Sequence, residues 1–113
     1  MNFETTQNRN TAIVKTLVEK LDASNASSLK AELLVLNKNG VNTVVLDFSA
    51  TKYCDSSGLS ALLFANRICK DVNGMFVLAG LQPAVQKMIT IAQLDKVLSI
   101  TENEAQAIEV IHQ

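Results

Sequence analysis

Residues 44–48, Val-Val-Leu-Asp-Phe, form the stretch that decides the fold. They belong to an apolar segment, residues 41–48, whose unbroken Val-Val-Leu run is typical of a strand covered on both faces. A second such stretch, Met-Phe-Val-Leu-Ala at residues 75–79, comes after an apolar helical pattern at residues 59–72. Two buried strands joined through a helix predict a parallel pair with a right-handed crossover.

Upstream of this unit, the sequence predicts a hairpin and a first helix. Strand candidates at residues 2–7 and 11–18 are separated by Asn8-Arg9-Asn10, a plausible turn between antiparallel strands. Four apolar residues with helical spacing then predict a helix before the first buried strand. They are Ala26, Leu29, Leu33 and Leu36.

Downstream, Pro83 suits the first turn of a third helix, and residues 97–100 predict a last strand. Thr101 and Glu104 have the spacing of a capping box, which predicts the start of a fourth helix. Its apolar stripe would consist of Ala105, Ile108 and Ile111. The predicted order, ββαβαβαβα, describes an α/β fold with a mixed, mostly parallel sheet of about five strands and about four helices.

Composition limits the function. The 113 residues fit a single domain, residues 1–113, and ten basic against eleven acidic residues give a formal net charge of −1. This balance, with scattered lysines and arginines, argues against a nucleic-acid or anionic-membrane binder. Two cysteines and one histidine are too few for a structural zinc site. With no signal-peptide pattern and no span of roughly 20 apolar residues, the sequence predicts a cytoplasmic protein without cofactors.

The loop after the first buried strand is the predicted site, since partners of such folds usually bind at the carboxyl ends of strands. It contains Asp-Ser-Ser-Gly at residues 55–58. A structural interpretation makes Asp55, Ser56 or Ser57 the cap of the next helix. A functional interpretation makes a serine the phosphoacceptor, because a helix N-terminus stabilises added negative charge. Such a phosphate would spare the fold and repel a partner packed there.

Taken together, these segments resemble the STAS domain of the anti-sigma factor antagonist type. Leu21-Asp22-Ala23 before the first helix fits the same pattern, so the resemblance covers nearly the whole chain. The segments that carry it are VVLDFS at residues 44–49, DSSGL at residues 55–59 and GMFVLAGL at residues 74–81.

The resemblance implies a partner-switching function without enzymatic activity. Such antagonists bind an anti-sigma factor that is also a serine kinase of ATPase fold, and thereby free the sigma factor. Phosphorylation ends the binding, and a serine phosphatase reverses it. On this chain the resemblance implies phosphorylation of Ser57, and it leaves the oligomeric state open between monomer and weak dimer. The implied partner surface comprises Asp22, Asp55, Ser56, Ser57, Gly58 and Leu59.

Other functions stay open. The same fold serves as an adaptor subunit of lipid-transport ABC systems and as a scaffold in stress signalling. A receiver domain phosphorylated on Asp47 would need further carboxylates for magnesium, and Glu19 and Asp22 are not an adjacent acidic pair. A serine hydrolase is disfavoured, since Ser57 lies outside a G-x-S-x-G motif and the only histidine, His112, is penultimate.

The chain departs from the family pattern beside the loop. Cys54 stands where a larger apolar residue is usual, and Glu19-Lys20 where many members carry a glycine. We interpret Cys54 as a small, semi-buried hydrophobic residue rather than a redox thiol, because the neighbouring Asp55 would raise its pKa. Cys69 is predicted to lie in the core.

Overall fold

The computed structural model describes residues 2–112, which form seven strands in two sheets and four α-helices. The strands are β1 (Phe3–Asn8), β2 (Thr11–Thr16), β3 (Lys20–Leu21), β4 (Thr43–Asp47), β5 (Tyr53–Cys54), β6 (Met75–Ala79) and β7 (Ser99–Thr101). The helices are α1 (Ala26–Lys38), α2 (Ser56–Lys70), α3 (Pro83–Ile91) and α4 (Glu104–Ile111), with a 3₁₀ turn at Leu94–Lys96. Among the residues described, no helix is long and apolar enough to cross a membrane.

The main sheet has five strands in the order β1-β2-β4-β6-β7. The hairpin strands β1 and β2 are antiparallel, and all other neighbours in this sheet are parallel. In the central register, Leu46 of β4 lies between Val14 of β2 and Leu78 of β6. The predicted mixed sheet with an antiparallel edge is therefore confirmed, as are its number of strands and its four helices.

Helices cover both faces of the sheet, which explains why β4 and β6 are apolar without alternation. Val44 and Leu46 reach the larger core, shared with α1, α2 and α3. Val45 and Val77 reach the opposite face, where they pack with Ala107 of α4. Because successive strand residues point to opposite faces, a strand covered on both sides must be apolar throughout.

The second helix is longer at its start than the sequence predicts. It begins at Ser56 rather than at residue 59 and ends at Lys70, so that Val72 lies beyond it and is 45% exposed. The difference arises because the predicted start was the first apolar residue, whereas the polar Ser56 and Ser57 supply the first turn. The buried side of α2 comprises Gly58, Ala61, Leu62, Ala65, Asn66 and Cys69.

The segment after the first buried strand, predicted as a loop, is not a loop throughout. Within it β5 pairs in parallel with β3, forming a two-stranded sheet beside the main one. The predicted strand 11–18 ends at Thr16. There the buried Thr51 hydroxyl lies 2.6 Å from the Thr16 hydroxyl and donates to the Val18 carbonyl at 2.7 Å, which ties the segment after β4 to the end of β2.

The capping box predicted from Thr101 and Glu104 is also wrong. Thr101 is the last residue of β7, and its buried hydroxyl donates to the Leu78 carbonyl at 2.9 Å. Asn103 caps α4 instead, accepting from the Gln106 N–H at 2.8 Å. The apolar side of α4 also differs from the predicted stripe, and Ile108 is 36% exposed. The packed residues are Ala107, Val110 and Ile111.

Candidate functional site

The Asp-Ser-Ser-Gly segment follows β4 and β5 in the chain, and the two-stranded sheet fixes its position. Lys20 pairs with Tyr53 and Leu21 with Cys54. The Asp55 N–H then donates to the Leu21 carbonyl at 3.2 Å. The turn that leads into α1 and the turn that leads into α2 are therefore held together by backbone hydrogen bonds.

Asp55 is the cap of α2. Its Oδ1 accepts from the Gly58 N–H at 3.1 Å, and its carbonyl accepts from the Leu59 N–H at 2.9 Å. Of the three capping candidates that the sequence allows, the structure thus selects Asp55, and the carboxylate also lies at the positive end of the helix dipole. Ser56 and Ser57 are left in the first turn with Ser56 exposed and Ser57 half-buried.

Gly58 packs the first turn of α2 directly against the β3–β5 sheet. A β-carbon at this position would lie 2.6 Å from the Leu21 carbonyl oxygen and would also collide with Cys54 Sγ. Since real side chains do not approach a backbone oxygen so closely, the position requires glycine. The close approach that glycine allows here is to the chain's own core, at Leu21 and Cys54.

Cys54 is fully buried beneath the turn, deeper than the semi-buried position that the sequence suggested. Burial, and to a smaller extent the charge of Asp55, raise the pKa of the Cys54 thiol to about 12. The thiol therefore stays protonated at neutral pH and behaves as a small hydrophobic side chain. Cys69 is buried as predicted, and burial raises its pKa to about 11.

Asp22 stabilises the neighbouring turn. Its Oδ1 accepts from the Ser24 hydroxyl at 2.6 Å and from the Ser24 N–H at 3.0 Å. These two hydrogen bonds, and the charge of Lys20, hold the pKa of Asp22 below its usual value. The carboxylate is thus ionised and fixed in direction on the turn that precedes α1.

A groove of about 470 Å³ separates the first turn of α2 from the start of α1. Both serines of the motif line it, and so does the ammonium-bearing side chain of Lys30. Lys30 and Ser60 were not predicted from the sequence. Their only sequence signal is helical spacing, since Ser60 follows Ser56 by four residues and Lys30 follows Ala26 by four. The full lining is Ala23, Ala26, Ser27, Lys30, Ser56, Ser57 and Ser60.

The predicted partner residues divide between two sides of the turn. Asp55, Ser56 and Ser57 lie on the solvent side of the turn or line the groove. Gly58 is buried, and Leu59 is partly buried against the core. Gly58 and Leu59 therefore support the surface from beneath, and Ser56 and Ser57 form the part of it that a partner could contact.

A second polar cluster surrounds Asp47 at the carboxyl end of β4. Asp47 accepts from the Ser49 N–H at 2.8 Å and lies beside Glu104, which in turn is 3.7 Å from Lys15. Burial alone would raise the pKa of Asp47, but the neighbouring Glu104, the hydrogen bonds from Ser49 and the charge of Lys15 lower it overall. The same Asp47 contact, together with burial, raises the pKa of Glu104.

Comparison with known proteins places this architecture in a family. The STAS domain family model matches residues 2–107. A protein of Bordetella bronchiseptica called BtrV, described as a candidate anti-sigma factor antagonist, is 33% identical over 72 residues, which are 64% of this chain and 62% of BtrV. The match thus spans about three fifths of the length of that relative.

Two solved structures show the same fold. A candidate anti-sigma factor antagonist from Thermotoga maritima superposes with a TM-score of 0.87 at 20% identity, over 98% of this chain and 95% of the other. The unphosphorylated anti-sigma factor antagonist SpoIIAA, a Bacillus protein, superposes with a TM-score of 0.84 at 22% identity, over 97% and 96%. By its family match over nearly its whole length, this chain belongs to the STAS domain family.

Proposed function

We propose that this chain is an anti-sigma factor antagonist that is switched by phosphorylation of Ser57. Unphosphorylated, it binds an anti-sigma factor with serine kinase activity in the cytoplasm and so frees a sigma factor. Phosphorylation ends the binding, and a serine phosphatase restores it. The chain acts in this scheme by binding and not by catalysis.

The observation that carries the proposal is the position of Ser57. Its side chain lines an open groove in the first turn of α2, on a backbone that Asp55 caps and Gly58 locks against the core. A phosphate added there would gain from the helix dipole and nearby N–H groups. The fold can therefore accept the modification, while the surface of the groove changes by a charge of about −2.

The relatives support the proposal in a more general way. BtrV is described as a candidate anti-sigma factor antagonist, and SpoIIAA is an antagonist whose structure is known in an unphosphorylated and a phosphorylated form. The second serine of the Asp-Ser-Ser-Gly motif is chosen because the family pattern puts the phosphoacceptor there. Ser56, one residue earlier and more exposed, provides a matched control.

The test uses the purified chain and the proposed partner, an anti-sigma factor of ATPase fold with serine kinase activity from the same organism. We expect Ser57→Asp to abolish binding, since the added charge mimics phosphate, and Ser57→Ala to bind without release by ATP. Ser56→Ala should behave like the wild type. Mass spectrometry of the chain after incubation with kinase and ATP locates the phosphate. Phosphate on another residue, or none at all, would overturn the assignment.

A further inference from the structure

A second, smaller cleft continues the groove along α2 away from Ser57. It has a volume of about 290 Å³ and lies between α1 and α2. Lys30 and Ser60 line both the groove and this cleft, so the two form one continuous surface. The cleft is lined by Lys30, Ser60, Leu63, Phe64 and Arg67.

Two cations flank an aromatic ring in this cleft. Lys30 Nζ lies 6.0 Å from the centroid of the Phe64 ring, and Arg67 Cζ lies 5.8 Å from it. Lys30 Nζ also donates to Ser60 Oγ at 3.3 Å. Attraction to the ring holds both cationic groups, and the hydroxyl also holds Lys30, beside an apolar surface to which Leu63, 38% exposed, contributes.

No carboxylate neutralises these cations within residues 2–112. The ion pairs found there join Lys15 with Glu104 and Lys52 with Glu19. Helix α2 contains no aspartate or glutamate.

The acidic residues nearest in sequence to the two cations form no ion pair with them. Glu32, two residues after Lys30, accepts a hydrogen bond from Thr5 of β1 at 2.6 Å. Asp71, four residues after Arg67, forms the C-cap of α2 and no ion pair with it. The cleft therefore presents two uncompensated positive charges on either side of a partly exposed apolar surface.

We propose that this cleft binds an acidic segment of the partner protein, in which an apolar side chain flanked by carboxylates contacts Leu63 and Phe64. The carboxylates would pair with Lys30 and Arg67. Nucleic acid and anionic membrane fit less well, since their affinity depends on many clustered cations, and this surface offers two on a chain of net charge −1. The inference rests on the proposed function, because the same partner would cover Ser57 and the cleft together.

The first experiment tests the cleft without the partner. The ¹⁵N-labelled chain is titrated with a synthetic 12-residue peptide, (Glu-Leu-Phe-Glu)₃, and with its counterpart in which every glutamate is glutamine. We expect amide shifts at residues 60–67 with the acidic peptide and at least fivefold weaker binding of the glutamine peptide. The double variant Lys30→Glu with Arg67→Glu should lose the acidic peptide.

The matched control is Lys38→Glu with Lys70→Glu, which makes the same change of net charge on the same two helices outside the cleft. It should bind the acidic peptide like the wild type. If the charge-reversed cleft variant fails to fold, Lys30→Gln with Arg67→Gln replaces it. Equal binding of both peptides, shifts located elsewhere, or the same shifts with phosphatidylglycerol vesicles but not with the peptide would overturn the inference.

The second experiment separates this inference from the proposed function. Binding of the proposed partner kinase is compared for the wild type, Ser57→Asp and the charge-reversed cleft variant. We expect the cleft variant to bind at least tenfold more weakly, with the loss reduced at high salt. Unchanged binding by the cleft variant would overturn only the inference that the cleft binds an acidic segment. Unchanged binding by Ser57→Asp would overturn only the proposed phosphorylation switch.

Discussion

Helices α2 and α4 begin with nearly the same capping hydrogen bond, but the residues that pack around the two caps differ. Asp55 accepts from the N–H three residues on at 3.1 Å, and Asn103 does the same at 2.8 Å. At α2 the next residues face a groove against α1 and rest on the buried Gly58. At α4 the corresponding Gln106 is exposed and folds back to accept from the Glu102 N–H. The cap residue alone therefore does not create a binding surface. Whether such a surface forms depends on what packs beside the cap.

The largest difference in stability between variants of the two helices is expected at the third residue of each helix. Gly58→Ala should lower the free energy of unfolding by about 1–3 kcal/mol, because the new methyl group would collide with the Leu21 carbonyl. Gln106→Ala, at the same position of α4, loses one exposed hydrogen bond and should cost less than about 1 kcal/mol. Urea denaturation measures both. A Gly58→Ala variant as stable as the wild type would show that the turn is not locked against the core.

The two caps themselves should be nearly equivalent. Asp55→Ala and Asn103→Ala each remove one side-chain acceptor from an N–H of the first turn, which typically costs about 1 kcal/mol. Chemical denaturation of the two variants therefore should give similar losses. Binding to the kinase should fall only for Asp55→Ala, since only that cap orders the turn that carries Ser57. A loss of stability at one site several times that at the other would contradict the equivalence.

The smallest effect is expected at the first helical position and depends on pH. The raised pKa of Glu104 means that the folded chain binds this proton more tightly than the unfolded chain, so ionising Glu104 costs stability above that pKa. Glu104→Gln should therefore be more stable than the wild type at pH 7 by a few tenths of a kcal/mol, on the order of an exposed ion pair. The advantage should shrink as the pH falls through the pKa of Glu104.

Thermal unfolding between about pH 3 and pH 8, a range that spans the titration of carboxyl groups, measures this effect. Glu102→Gln, at an exposed position two residues earlier, is the matched control and should follow the wild type. The lowered pKa of Asp47 acts in the opposite direction, because its stabilisation is lost as the pH falls through its folded value, and Ser49 and Lys15, which help to lower it, are present in both proteins. A variant that loses stability at pH 7 would show that the Lys15 ion pair outweighs repulsion from Asp47.

The elements predictable from the sequence are those with a pattern longer than one structural period. The strands β4 and β6 and the helix α2 each bury several consecutive or regularly spaced apolar residues, and their order alone implies the parallel sheet. The strands β3 and β5 have two residues each, Lys20-Leu21 and Tyr53-Cys54, which is too short for alternation to appear. Their pairing depends on the tertiary fold.

The site was predictable only in part for the same reason. The Asp-Ser-Ser-Gly motif is local, so its place at a helix start followed from residue types and position. Lys30 and Ser60 are thirty residues apart and meet because α1 packs beside α2. Each, taken alone, resembles an ordinary solvated residue of a helix. The Thr101 cap failed because that hydroxyl is used by the sheet, a competition that local sequence does not reveal.

The buried thiol of Cys54, beneath the first turn of α2, can also report how often that turn opens. Only a thiolate attacks thiol reagents, and Cys54, with a pKa of about 12 and no exposed surface, is unreactive while the turn is closed. In a Cys69→Ala background, the rate at which a thiol reagent labels Cys54 would measure how often the loop that carries Ser57 opens. Amide exchange measures opening of the backbone in the same way. Phosphorylation or a bound partner would then be read out as a change in that rate, without any added probe.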